Sequence, residues 1–216
     1  MRDLIGGAAK IAGVQLNAEQ VAQLTTHFEL LLRWNEKINL SAVRQPAEIA
    51  TRHFGESLFL STLIAAPSVA PDVVPYRPAT VMLDVGSGAG FPGLPLKVIW
   101  PDVPVVLLEP TQKKATFLRE VIRQCRMQDA SVVSERLEQA ARGRLSGSCA
   151  LVTMRAVAVD AGVLAALRGM LAEGGRVALF VGEAAARKLM SERVLRWETP
   201  RAIPHSAARV ILLGSR

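Results

Sequence analysis

Asp84, Gly86, Gly88 and Gly90 are the residues whose types and spacing first suggest chemistry. They lie in Val81-Met82-Leu83-Asp84-Val85-Gly86-Ser87-Gly88-Ala89-Gly90-Phe91-Pro92-Gly93. An apolar run ends in an acid, and glycines then alternate with small residues. Such a stretch turns a buried strand sharply into a helix and lets its backbone approach a ligand closely. The spacing is Gly-x-Gly-x-Gly, and Phe91 stands where a dinucleotide fingerprint carries its third glycine. A dinucleotide needs that glycine for close helix–strand packing and sets its pyrophosphate on the helix N-terminus. A ligand without phosphates does not. S-adenosylmethionine is such a ligand, and Asp-x-Gly-x-Gly-x-Gly reads as its loop. The plainer alternative is a turn that binds nothing.

Three further groups fall at strand ends, where an open parallel sheet binds its ligands. Glu109 ends the run Pro104–Leu108, and a carboxylate there can accept both ribose hydroxyls of a nucleoside. Glu135-Arg136-Leu137-Glu138 follows a third strand and could meet the adenine. Arg155 follows four apolar or small residues at the end of a fourth strand, beside the reacting centre; its alternative is an ion pair that holds the loop. Absences narrow the acceptor. Exocyclic amine methylation of adenine typically uses an Asp/Asn-Pro-Pro-aromatic loop after the fourth strand, where Met154-Arg155-Ala156-Val157 stands. Carbon-5 methylation of a pyrimidine needs a cysteine nucleophile. Cys149 lies at the wrong end of its strand, and Cys125 faces a helix core. Intrinsically nucleophilic atoms such as guanine N7 remain, for which positioning replaces a general base. His27, His53 and His205 have no ligand spacing with cysteine or acid, so no metal site is expected.

Residues 80–216 alternate strands and helices, which predicts a Rossmann-like, doubly wound, mostly parallel α/β sheet. Strands are expected over about 80–85, 104–109, 131–134, 149–154 and 176–181, with a turn at Glu173-Gly174-Gly175 and a closing strand over 208–213. Helices are expected over 93–100, 112–127 and 160–171. Residues 1–66 read as a helical extension. A capping box at Asn17–Gln20 opens one helix there, and Pro46 opens another that runs to about Ile64. Pro67, Pro71, Pro75 and Pro78 mark a linker over 67–79.

The net charge of +7 on 216 residues suits a polyanionic partner. Arg119, Arg123 and Arg126 recur at i, i+4 and i+7 on the 112–127 helix. They read either as a phosphate-tracking stripe or as a solvated face. No apolar run is long enough to span a bilayer and no signal peptide is legible, so a reduced cytoplasmic protein is expected. Nothing in the pattern calls for a dimer, and a monomer is expected.

These residues resemble the glucose-inhibited division protein B family, the bacterial 16S rRNA guanine-N7 methyltransferases. The resemblance covers most of the chain. It rests on Trp34–Arg44, on Arg52-His53-Phe54-Gly55-Glu56-Ser57-Leu58, and on the donor loop extended by Phe91-Pro92-Gly93-Leu94-Pro95-Leu96. Lys113-Lys114 with Phe117-Leu118, and Arg155-Ala156-Val157-Ala158, complete it. The resemblance implies an S-adenosylmethionine-dependent class I methyltransferase acting on 16S rRNA or the small ribosomal subunit near the decoding region. Gly86, Ser87, Gly88, Gly90, Phe91, Glu109, Leu137, Glu138 and Arg155 would contact the donor. Arg155, Asn39 and His53 would shape the reacting pocket. Arg136 and Lys113 or Lys114 would serve the RNA or the active-site rim; Arg52 would help to shape the pocket and, like Arg119 and Arg123 on charge alone, is a candidate for the RNA. Four departures stand out: Glu109 where Asp is more usual, Pro110 where Ser is usual, Glu56 where Asp is usual, and Val181-Gly182 where Lys-Gly is frequent. A methyltransferase of small molecules or proteins and a non-catalytic RNA-binding module are the competing readings.

Overall fold

A computed structural model describes residues 1–67, 81–155 and 158–216. The first strand, β1 (Val81–Val85), is buried along almost its whole length, as parallel strands covered on both faces must be. It is followed by α5 (Gly93–Ile99), β2 (Val105–Leu108), α6 (Gln112–Gln124) and β3 (Ala130–Val133). A short α7 (Leu137–Ala140) leads to β4 (Cys149–Arg155), α8 (Ala161–Met170), β5 (Leu171–Gly182) and α9 (Glu183–Met190). β6 (Arg196–Trp197), β7 (Arg201–Ala202) and β8 (Arg209–Ser215) close the chain. The sheet runs β3-β2-β1-β4-β5-β8-β6, with β7 against β8. β1 to β5 are parallel and β8 is antiparallel to β5. The strand order reverses between β1 and β4, the switch point where a ligand crevice opens.

The residues before β1 form α1 (Arg2–Ala12), α2 (Ala18–Asn35), α3 (Pro46–Ile49), a π-helical turn (Ala50–Gly55) and α4 (Glu56–Leu63). The capping box opens α2, since Gln20 N donates to Asn17 Oδ1 at 2.9 Å. Period-two alternation in the strands sends neighbouring residues to opposite faces. Met82, Leu107 and Leu151 join one core with Ile5, Phe28, Phe54, Leu58 and Phe117. Leu83, Leu108 and Val152 join the other with Leu164, Leu167 and Leu189. The N-terminal helices therefore cover one sheet face in a common core with α5 and α6.

Gly6 and Gly7 lie inside α1, where burial of Ile5, Ala8, Ala9 and Ala12 offsets the weak helix propensity of glycine. Two expectations change. The expected turn at Glu173-Gly174-Gly175 lies inside β5 as an irregularity, where the pairing with β4 shifts register between Cys149 and Leu151. The 112–127 helix stops at Gln124, and Arg126 takes a left-handed φ of 51° beyond its end. Most of the proline-rich linker, from residue 68, falls outside the described residues, as do Ala156 and Val157 of the Arg-Ala-x-Ala match.

Candidate active site

Positive φ angles at Gly86 (68°), Gly88 (55°) and Gly90 (89°) turn the chain out of β1. These are conformations that L side chains rarely adopt, which is why glycines alternate here. The turn is tied down from inside. Asp84 is fully buried; its Oδ1 accepts from Thr153 Oγ1 at 2.7 Å and its Oδ2 from Gly93 N at 3.3 Å. Burial pushes its carboxyl up to about 6, against the opposing hydrogen bonds of Thr153, Ser87 and Gly93. Gly93 carries the close packing: a Cβ there would stand 2.6 Å from Leu107 Cδ2 and 2.8 Å from Asp84 Oδ2. Gly90 is a packing residue too, since a Cβ would meet Leu94 Cδ1 at 2.4 Å.

Glu109 follows β2 and is buried at its end. Its Oε2 accepts from Gly88 N and its Oε1 from Thr111 N, each at 2.9 Å. The carboxylate thus fixes the glycine loop against the second strand, with lone pairs left for a diol.

A cleft of about 470 Å³ opens over these strand ends. Gly86, Ser87, Gly88, Phe91, Glu109, Leu137, Glu138 and Arg155 line it together with Lys114, Arg136 and His53. Val85, Leu108, Pro110, Met154 and Val163 supply apolar walls. An S-adenosyl group fits these residues: a glycine-cradled backbone edge, a carboxylate for the ribose, and an apolar slot beside Leu137 for the base. Ser87 spends its hydroxyl on Asp84 O at 2.8 Å, so it offers backbone rather than side chain.

The remaining candidates divide. The structure does not bring Asn39 to the cleft: it is exposed and accepts from Arg44 Nη2 at 3.3 Å, and its neighbour Leu40 lines the wall instead. Gly90 packs against Leu94 and is not part of the lining. Lys113, Arg119 and Arg123 are exposed and away from the cleft. Arg119 donates to Ser134 Oγ at 3.1 Å, and Arg123 pairs with Glu120 at 2.8 Å. Arg52 lines a second cavity. Neither cysteine offers a nucleophile; burial pushes both thiols up to about 12.

Arg155 ends β4 with its guanidinium held on three sides. Nη2 lies 3.1 Å from Glu56 Oε2 and donates to Arg52 O at 2.8 Å, and the group sits over the Phe180 ring. Nη1 is buried with no partner among the described residues. Glu56, 5 % exposed, also pairs through Oε1 with Arg209 at 2.7 Å. Glu56 and Arg209 escaped the sequence reading as site residues, because a bridge between α4, β4 and β8 has no linear spacing.

His53 projects from the π-helical turn into the cleft wall. Its Nε2 meets Ser41 Oγ at 2.7 Å and its ring stacks on Phe91 at 4.9 Å. Burial, then the charges of Arg155 and Arg52, lower it to about 3, so it stays neutral. Fully buried His27 stacks on the same ring at 4.8 Å, and its Nε2–H donates to Ala89 O at 2.8 Å. Asn35 explains the Trp34–Arg44 block: its Oδ1 accepts from Leu40 N at 2.9 Å and Ser41 N at 3.0 Å, placing Ser41 under His53.

Comparison with known proteins adds a family. The model of the GidB family, rRNA small subunit methyltransferase G, matches residues 20–201. A ribosomal RNA small subunit methyltransferase G from Dehalococcoides mccartyi strain CBDB1 is 38% identical over 179 residues, 82% of this chain and 71% of that protein. The protein of the same description from Desulfitobacterium hafniense strain Y51 is 32% identical over 183 residues, 83% of this chain and 70% of its own. Among solved structures, a ribosomal protein L11 methylase from Lactobacillus delbrueckii subsp. bulgaricus superposes with a TM-score of 0.57 at 14% identity. That likeness covers 77% of this chain and 79% of the other, and concerns the fold alone.

Proposed function

This chain belongs to the GidB family, rRNA small subunit methyltransferase G, and from that premise we propose that its cleft methylates N7 of a guanine in 16S rRNA near the decoding region. The family's methyl donor is S-adenosylmethionine. The observation that carries the reading is the convergence of the glycine loop, Glu109 and Arg155 on one cleft.

Bound in this cleft, S-adenosylmethionine would supply an electrophilic methyl group to the lone pair of guanine N7, the S–CH3 bond breaking as the N7–CH3 bond forms and neutral S-adenosylhomocysteine leaving. No residue has to remove a proton first, which agrees with a neutral, weakly basic His53 and with two inert thiols. What this chain contributes is position and charge. Glu109 holds the glycine loop and offers acceptors to the ribose. Leu137 and Leu108 would line the slot for the donor's adenine. Phe91, braced by both histidine rings, forms the floor between donor loop and helical layer. Arg155 Nη1, a buried donor without a partner among the described residues, suits the O6 acceptor of guanine and opposes the amino group that adenine presents there. Arg136 and Lys114 form the rim towards the RNA, while Glu138 belongs with Leu137 to the donor side of the cleft. Lys113, Arg119, Arg123 and Arg52 extend the basic surface beyond it.

We read the protein as acting in the cytoplasm, where ribosomal RNA is assembled, and as a monomer. Its most exposed large apolar side chains among the described residues are only Met1, Ile11 and Met190, at about 40–41 %.

The test is chemical. Borohydride reduction followed by aniline cleaves RNA at N7-methylguanine. Small-subunit rRNA from cells carrying this gene should be cut at one guanine that is spared when the gene is deleted. Identical cleavage in both strains contradicts the proposal and leaves a different acceptor.

A further inference from the structure

On the far side of the π-helical turn from the cleft lies a second cavity, of about 220 Å³, whose wall is apolar over Ala8, Ile11, Ala12 and Ile203 and polar over Thr51, Arg52, Glu56, His205 and Arg209. Consecutive residues of the turn part company there, with His53 in the cleft wall and Arg52 in the smaller cavity. Glu56 links the two cavities, bridging Arg155 of the first and Arg209 of the second.

The sheet puts this cavity on the acceptor side. β8 is antiparallel to β5, and Arg209 pairs with Gly182, the last residue of β5. Arg209 therefore stands at the same sheet edge as the carboxyl ends of the parallel strands. The glycine loop, Glu109 and Leu137 occupy the β1–β3 half of that edge, whereas this cavity lies on the β5–β8 half, beyond Arg155.

Its charge suits an anion. Glu56 is 5 % exposed, and both its oxygens are already engaged by arginines. Arg209 keeps about a third of its side chain exposed and Arg52 rather more. Arg52 Nε has no partner among the described residues. Its pair with Glu48, 2.7 Å apart and open to solvent, is the kind of surface contact worth little and easily exchanged. Two guanidinium groups and an imidazole are donors matched to phosphate oxygens, whereas the Thr51 hydroxyl is already given to Ala47 O at 3.0 Å.

We propose that this cavity seats a backbone phosphate of the rRNA strand, close to the target guanine. The proposal rests on the rRNA reading above and deepens it by naming where the strand is gripped.

The test places a carboxylate in the cavity without touching the cleft. His205 is exposed with a φ of 57°, a conformation that aspartate and asparagine tolerate. His205→Asp and Thr51→Asp are compared with the wild type, with His205→Asn and with Ser191→Asp, whose site on the exposed end of α9 belongs to the opposite sheet face. The substrate is 16S rRNA from cells lacking the gene. His205→Asp and Thr51→Asp should each raise KM for RNA about tenfold and reduce the salt slope of binding by about 0.7, the share of a single phosphate. Affinity for S-adenosylmethionine and kcat at saturating RNA should stay at wild-type values. His205→Asn, which removes the imidazole but adds no charge, should raise KM less than His205→Asp does, and Ser191→Asp should remain within about twofold of the wild type. Wild-type KM and slope in both cavity variants would overturn the phosphate seat while leaving the methyltransferase reading intact. An equal effect from Ser191→Asp would also overturn it, since any added negative charge would then suffice. If the wild type itself methylates no guanine, the functional reading falls first.

Discussion

Glu109 does two things at once, and its removal separates them from the fold. Its carboxylate holds Gly88 N and Thr111 N while facing the cleft. Glu109→Ala should weaken S-adenosylmethionine binding by roughly 1–3 kcal/mol, the scale of forfeited charge-assisted hydrogen bonds. Calorimetry giving wild-type affinity would remove Glu109 from the donor site. His27 yields a prediction about pH. Burial lowers its folded pKa from 6.5 to about 4, so the folded state binds fewer protons than the unfolded chain between those values. Stability from this residue is therefore complete above pH 6.5 and is lost as pH falls towards 4. Over that window the loss is on the order of 3 kcal/mol. Denaturant midpoints of His27→Gln should fall less than those of the wild type over the same window, and parallel curves would contradict this. Asp84 acts in the opposite sense. Its raised pKa makes the folded state hold the proton longer, so its contribution declines as pH rises from about 4 to about 6.

The elements place these residues by close approach. Gly93 opens α5 directly against β1 and β2, and Gly93→Ala would drive a methyl group into Leu107 and Asp84. It should destabilise the protein by roughly 1–3 kcal/mol, read as a lower urea midpoint at unchanged slope. An unchanged midpoint would mean that α5 can shift freely. At this scale the sequence was most legible where periodicity and glycine spacing are local. The parallel strands, the donor loop and the capping box of α2 all follow from patterns within a dozen residues. The π-helical turn was not legible, because Pro46 to Ile64 carries an ordinary helical pattern. The widened turn at Ala50–Gly55 packs against α1, a contact between elements that no local pattern announces. The sequence placed Asn39 in the pocket, where the structure puts Leu40. The family block quoted around it works through Asn35, whose side chain folds the turn that carries Ser41 to His53. Glu56 and Arg209 were hidden because their ion pair joins α4 to β8, elements far apart in the chain that only the folded sheet brings beside Arg155.

For the whole molecule the question is how a chain of net charge +7 meets a folded RNA. Lys114 and Arg136 rim the cleft, whereas Arg119 and Arg123 stand further out on α6. Replacing Arg119 and Arg123 with Ala should lower the salt slope of 16S rRNA binding by up to about 0.7 for each phosphate that is no longer neutralised. An unchanged slope assigns them to a solvated face, as the Arg123–Glu120 pair allows. The helical N-terminal layer and the sheet share one core, so the cleft wall that carries His53 and Leu40 is built on the same packing as the strand ends opposite it. Such a site can position a base before it reacts, and that is the central claim. Its most direct measurement is a reaction with purified protein. Deuterated-methyl S-adenosylmethionine is mixed with 16S rRNA from cells lacking the gene, and the nucleosides are resolved by mass spectrometry and mapped by aniline cleavage. The expected result is label in N7-methylguanosine alone, at one guanine near the decoding region, and no label with Arg155→Ala. Label on another atom or another base, or none at all with the wild type, would contradict the account.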